Sequence, residues 1–329
     1  MAKLALEFEH KNTCFPRFPP PFHNDLKSEE TPELSRMEFA APNEQANRKI
    51  YDGGDWCLEY ATAPTAELST SQGAIALFAF HGFARPLEDM LPISEVWPEP
   101  RLLISIHLPH HGNSLPALHP LDSPISPKRL MEILTAIGRQ EGARTDTFDM
   151  IGYSIGGRVA LSLLCEAPQQ WSRMVLMAPD GLKKSLFYGL TVHTRLGRFL
   201  WFAIDRRAER VMQWTDRLLR WGWISKHLHT FGQFHLVNHG MRMMVWNGWR
   251  SHRLCWPSHS EIALSMKKSE GKIDVFFGEH DAVIPPSNGR EIQRMVHSDS
   301  NVGFHLLPSG HGMLRKDILE HLVQRIFPT

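Results

Sequence analysis

From about residue 46 onward, short apolar runs alternate with stretches whose apolar positions recur at helical spacing. The runs Gly73–Phe80 (GAIALFAF), Leu102–Leu108, Phe148–Gly152, Met174–Ala178, Ile273–Phe277 and Val302–Leu307 are bounded by turn residues, so each predicts a strand. A shorter pair of strands is predicted within Arg48–Ala61. Between the runs, Pro127–Gln140 predicts a helix with Ser126 as N-cap and proline at its first position. Ile155–Glu166 and His311–Ile326 predict two more. Strand and helix in alternation predict an α/β protein with a mostly parallel central sheet flanked by helices.

Two stretches depart from this alternation. Residues 1–45 are rich in proline (FPRFPPPF) and in acids, with no sustained period, and predict a flexible N-terminal arm. Residues 182–262 contain no convincing strand and hold seven of the ten tryptophans, which predicts a helical insertion. The core is then 46–181 together with 263–329.

Charge sharpens the contrast. The whole chain carries 36 basic against 35 acidic residues, which leaves no global field to attract nucleic acid. The insertion alone has thirteen basic and four acidic side chains, a balance of +9 against −8 elsewhere. No reading module for nucleic acid accompanies that charge, and none is expected to bind. Within the insertion Val211, Trp214, Leu218 and Trp221 form an apolar helical stripe bordered by Arg206, Arg210, Arg217 and Arg220. Such a stripe either packs over the protein or makes peripheral contact with an anionic membrane surface. The four cysteines have no metal-ligand spacing, and the run GAIALFAF is too short to cross a bilayer. Glutamates interrupt the opening MAKLALEFEH where a secretory signal would be apolar. These features predict reduced thiols and a cytoplasmic protein.

The candidate chemistry begins at Gly152-Tyr153-Ser154-Ile155-Gly156, followed by Gly157. A predicted strand precedes this GxSxG and a predicted helix follows, the setting in which a sharp turn lifts a serine hydroxyl above a sheet. A serine is a poor nucleophile at neutral pH, so it needs a base, and the base needs an orienting carboxylate. Strand Ile273–Phe277 runs into Gly278-Glu279-His280-Asp281, and strand Val302–Leu307 runs into Pro308-Ser309-Gly310-His311. Asp281 and His311 therefore sit in loops at strand carboxyl ends. Glu279 could replace Asp281 as the acid, and His280 could compete with His311 as the base, although adjacency to the acid hampers it. His81-Gly82-Phe83, closing the first apolar run, would supply the Phe83 N–H to an oxyanion hole, and Ile155 the second N–H.

These motifs resemble the α/β-hydrolase superfamily, in particular its capped serine esterases and carbon–carbon bond hydrolases. The similarity runs from about Arg48 to the C-terminus through HGF, LPHHGNS, GYSIGG, GEHDAVIP and SGHG. It implies an α/β-hydrolase fold with a helical cap inserted at 182–262, Ser154 as nucleophile, Asp281 as acid and His311 as base, without metal or organic cofactor. In the turn His107–Ser114, His107 and His110 stand where that superfamily has aspartate and glycine. His107, His110, His111 and nearby His119 could bind a metal, but the turn shows no obvious carboxylate partner and reads as a polar loop. The expected activity is hydrolysis of an acyl ester of a hydrophobic small molecule. A carbon–carbon bond hydrolase, a thioesterase, or a non-catalytic binding protein on the same fold are the alternatives.

Overall fold

The structure is a computed structural model that describes residues 47–66, 68–69, 73–117, 120–183, 186–224, 229 and 238–328. The predicted N-terminal arm and His119 lie outside the described residues. Everything described belongs to one compact unit.

The chain opens with β1 (Arg48–Asp52) and β2 (Trp56–Pro64), then β3 (Ile75–Phe80), the short α1 (Ile93–Val96), β4 (Arg101–Ile106), a two-residue β5 (Leu115–Pro116) and α2 (Pro127–Gln140). β6 (Arg144–Tyr153), α3 (Ile155–Glu166) and β7 (Trp171–Met177) follow. Helices come next: α4 (Leu186–His193), α5 (Arg195–Arg206), α6 (Ala208–Arg220), α7 (His239–Ser251) and α8 (His259–Lys268). β8 (Lys272–Gly278), α9 (Arg290–Met295), β9 (Val302–Leu307) and α10 (Lys316–Ile326) complete the chain.

The sheet runs β1-β2-β4-β3-β6-β7-β8-β9, with β5 pairing β2. β1, β2 and β5 pair antiparallel, and the six strands from β4 to β9 along that path are parallel. Helices cover both faces, so central strands such as IALFAF are buried almost throughout and need no polar alternation. On α2 the buried side chains Leu130, Ile133, Leu134 and Ile137 form one stripe, and the Ser126 hydroxyl accepts from Arg129 N–H at 3.1 Å to cap it.

β3 pairs with β4 on one side and with β6 on the other. That reversal of strand order opens a crevice at the carboxyl ends of β3 and β6, the place where open α/β sheets bind ligands.

One predicted helix differs. α10 starts at Lys316, not His311. The His311 carbonyl is already taken by the Met313 N–H (2.9 Å) and the Tyr153 hydroxyl (2.7 Å), so it does not serve a helical turn. His311 stays in the loop after β9.

Between β7 and β8 the described residues hold helices and no strand. They meet the region after β3 and β6 at several points. Phe83 packs against the cluster of Trp201, Val245 and Trp246, and His110 Nε2 lies 2.9 Å from Ser251 Oγ. The buried Arg158 guanidinium, one turn beyond Ser154, faces the rings of Tyr188 (5.1 Å) and Trp256 (4.6 Å). The stripe on α6 is only partly covered: no α6 residue is buried, and Trp214 and Trp221 are exposed.

Candidate active site

Ser154 links the end of β6 to the start of α3 with φ 55° and ψ −117°, outside the regions L-residues favour. The turn is locked from all sides. Ser154 N–H donates to Met177 O at 2.9 Å, and Ser154 O accepts from the N–H groups of Gly157 and Asp180, each at 2.9 Å. A Cβ on Gly152 would lie 2.6 Å from Gly156 O, and one on Gly156 would lie 2.2 Å from Phe80 O, so only glycine permits this closeness. Strain of this kind costs on the order of 1–3 kcal/mol and persists where surrounding structure enforces it, typically at functional sites.

His311 and Asp281 meet after β9 and β8. His311 Nδ1 is 2.8 Å from Asp281 Oδ2, and Asp281 Oδ1 accepts from the N–H groups of Val283 and Ile284, both at 2.8 Å. The Asp281 side chain is fully buried, and the imidazole is partly exposed. With Nδ1 donating to the carboxylate, Nε2 is left as the basic nitrogen. Glu279 and His280 are both exposed, and neither hydrogen-bonds His311. Tyr153, next to Ser154, donates its hydroxyl to the His311 carbonyl, and the two rings lie 5.2 Å apart. The serine and histidine loops are thereby tied together. Among the described residues Ser154 Oγ makes no hydrogen bond, as is common before substrate tightens such a site.

The turn after β3 is built around buried histidines. His81 Nδ1–H donates to Gly82 O at 2.7 Å while its Nε2 accepts from Leu108 N–H at 3.1 Å. The Gly82 carbonyl shares a peptide plane with the Phe83 N–H, so the His81 ring sets the direction in which that N–H points. His111 works similarly, with Nδ1 against Pro109 O (3.2 Å) and Nε2 accepting from Ala84 N–H (3.0 Å). Ile155, as first residue of α3, contributes an N–H that no intrahelical carbonyl can take.

The expectation of a polar loop without a carboxylate is corrected here. His107 and His111 are buried, and His107 Nδ1 is 2.6 Å from Glu59 Oε2. Glu59 comes from β2, far away in sequence, and also accepts from Asn113 N (3.0 Å) and Nδ2 (2.8 Å). Burial opposes its ionisation, but the hydrogen bonds from His107 and the Asn113 backbone outweigh it and hold its carboxyl at about 2. Among the described residues no cluster has the arrangement to hold a metal.

Burial, the largest influence, keeps several imidazoles neutral: His81 lies well below its ordinary range, and His111 and the buried His252 at the end of α7 are at about 3. Unfolding restores an ordinary histidine near 6.5. Below that pH the unfolded chain binds more protons than the folded one, so stability is present above about pH 6.5 and is lost as pH falls toward 3. His111 and His252 should each remove on the order of 2 kcal/mol between pH 7 and 5. Urea unfolding at the two pH values is expected to show a markedly lower midpoint at pH 5. An unchanged midpoint would mean that these rings are not held neutral.

Sequence reasoning placed His81 and Tyr153 within their motifs but missed the hydrogen bonds they make, and it missed Glu59 and Arg158 altogether. Glu59 left a signal: a lone acid in the otherwise apolar strand WCLEYATAP.

Comparison with solved structures bears on the architecture. An α/β-hydrolase enzyme, MGS-M2, from a Medee basin deep-sea metagenome library superposes with a TM-score of 0.58 at 13% identity, covering 85% of this chain and 98% of that one. The chain has the α/β-hydrolase fold. A thermophilic esterase from Thermogutta terrifontis (TM-score 0.53, 17% identity, 85% and 97% covered) and a thioesterase domain from the curacin biosynthetic pathway (0.52, 11%, 85% and 99%) share it. No protein-family model and no curated protein matches the chain. In this fold the carboxyl ends of β3, β6, β8 and β9 carry, in order, Phe83, Ser154, Asp281 and His311. No helix among the described residues is long and apolar enough to cross a membrane.

Proposed function

We propose that the protein is a serine hydrolase that cleaves an acyl ester of a hydrophobic substrate, with Ser154 as nucleophile, His311 as base and Asp281 as orienting acid. The observation that carries this reading is the hydrogen bond of His311 with the buried Asp281, tied through Tyr153 to a serine held at φ 55°. Fold neighbours that are an esterase and a thioesterase agree with hydrolysis.

In the mechanism, His311 Nε2 takes the Ser154 proton as Oγ attacks the substrate carbonyl. The Phe83 and Ile155 N–H groups stabilise the oxyanion. The tetrahedral intermediate collapses, His311 returns the proton to the leaving alcohol oxygen, and an acyl-enzyme remains. Water then attacks that ester while His311 takes its proton, and collapse releases the acid as His311 returns that proton to Ser154 Oγ. Asp281 holds the imidazole in the tautomer this requires.

A fluorophosphonate probe tests the nucleophile: stoichiometric labelling of the native chain, absent in the Ser154→Ala variant, is expected. An unlabelled native protein would favour a non-catalytic role. Nitrophenyl esters of graded chain length, with an acyl thioester and an aryl diketone in the same screen, then separate ester from thioester and carbon–carbon bond cleavage.

His81 is a positioning residue in this scheme. His81→Leu removes the bond that aligns the Phe83 N–H and should lower kcat by on the order of 10²-fold with little change in KM, since the donor acts mainly in the transition state. His81→Asn, whose amide can donate where Nδ1–H did, should recover part of the loss. A rise in KM alone, or no recovery by asparagine, would remove His81 from this role.

A further inference from the structure

We propose that α5 and α6 form a docking surface for an anionic phospholipid bilayer. Residues 195–220 contain seven arginines and only three acids. Among the described residues none of the seven is ion-paired, because Asp205 is taken by Arg242 (2.6 Å) and His239 (3.0 Å), and Asp216 by His229 (2.6 Å). Glu209 has no ion pair among the described residues.

Four of these arginines, Arg195, Arg198, Arg206 and Arg207, surround a groove of about 640 Å³ with Phe199 and Phe202. Among the described residues no acidic side chain lines it. A groove that combines converging guanidinium groups with phenyl rings suits a phosphate-bearing headgroup whose acyl part lies against apolar surface.

Large apolar side chains on and just beyond these two helices are exposed. Leu196, Phe199 and Leu200 on α5 are exposed, as are Trp214 on α6 and Trp221 and Trp223 just beyond it, the last at 76%. On α6 and the residue that follows it, Arg210, Trp214, Arg217 and Trp221 recur at spacings of 4, 3 and 4, which places them on one face, and all four are exposed. Arg217 lies 5.2 Å from the Trp214 ring. Tryptophan and arginine together are the pair that lies at a bilayer interface, the indole at headgroup depth and the guanidinium on phosphate.

Other occupants fit less well. A second copy would set seven uncompensated arginines against seven more. A nucleic acid would gain from the charges but not from Leu196 and Leu200, and no reading module is present.

The test uses the full chain and sedimentation with phosphatidylcholine vesicles, with and without phosphatidylglycerol. Binding is expected only with phosphatidylglycerol and should weaken sharply between about 0.1 M and about 1 M salt, as the Debye length shrinks from about 10 Å to about 3 Å. Arg195→Gln, Arg198→Gln, Arg206→Gln and Arg207→Gln together should lower the partition coefficient by roughly fivefold per arginine, several hundredfold in all. Trp221→Ser with Trp223→Ser should weaken binding without abolishing its salt dependence. Thermal unfolding of each variant confirms that it is folded. Equal binding to neutral vesicles, no binding to either, or retention by a single-stranded oligonucleotide but not by vesicles would each overturn the proposal. So would a stable dimer that the arginine substitutions dissociate. Vesicle binding is read without turnover, so its outcome is separate from the assignment of the triad.

Discussion

Ser154→Ala should lower kcat on a responsive ester by on the order of a millionfold, leaving a remnant from binding and the oxyanion donors alone. The substitution removes one oxygen, and that oxygen has no hydrogen bond to lose among the described residues. The fold should therefore be undisturbed, and an unchanged thermal transition is the control. Alanine also cannot relieve the turn, because its Cβ is as strained at φ 55° as that of serine and the backbone hydrogen bonds of residue 154 still hold it there. A rate within tenfold of the parent would show that chemistry proceeds through another group.

Asp281→Asn has the second largest expected effect, a fall in kcat of about 10⁴-fold. The buried carboxylate accepts three hydrogen bonds, from His311 Nδ1–H and from two backbone amides. An asparagine keeps the shape but must place its NH₂ against one of these donors. If its oxygen stays with the Val283 and Ile284 amides, the NH₂ faces Nδ1, and the imidazole turns to the tautomer whose Nε2 already carries a proton. Steady-state rates for this variant beside Glu279→Gln decide the matter. Glu279 is exposed and away from His311, so its loss should change the rate less than a few fold, and the reverse order would reassign the acid.

Much of the architecture was legible because the apolar runs of the parallel strands are buried on both faces and so appear as unbroken segments. Val302–Leu307 and the helices Pro127–Gln140 and Ile155–Glu166 have the bounds that pattern and capping predict. The helix expected from His311 starts later because a tertiary contact, the Tyr153 hydroxyl on the His311 carbonyl, overrides the local pattern. The positions of Ser154, Asp281 and His311 could be read because each follows a strand end. What brings the rest of the site together could not be read. Glu59 meets His107 through sheet pairing of β2 with β4, and His81 meets Leu108 across the parallel pair β3 and β4. Such contacts depend on strand order, which one sequence does not spell out. The turn HLPHHGNS (His107–Ser114) looks polar in sequence yet its His107 and His111 are buried, because their imidazoles satisfy backbone groups in place of water.

The pairing of β7 with β8 joins residues up to Met177 to residues from Lys272 onward, with all the intervening helices between them in sequence. A nascent chain emerges from its N-terminus, and domains tend to fold in that order. Ser154 and its sheet neighbours leave the ribosome before the loops that carry Asp281 and His311. Under the proposed mechanism, Ser154 has no proton acceptor until β8 and β9 add to the growing edge of the sheet. On that reading the order of synthesis keeps the serine hydroxyl inert until both of those loops have reached their places.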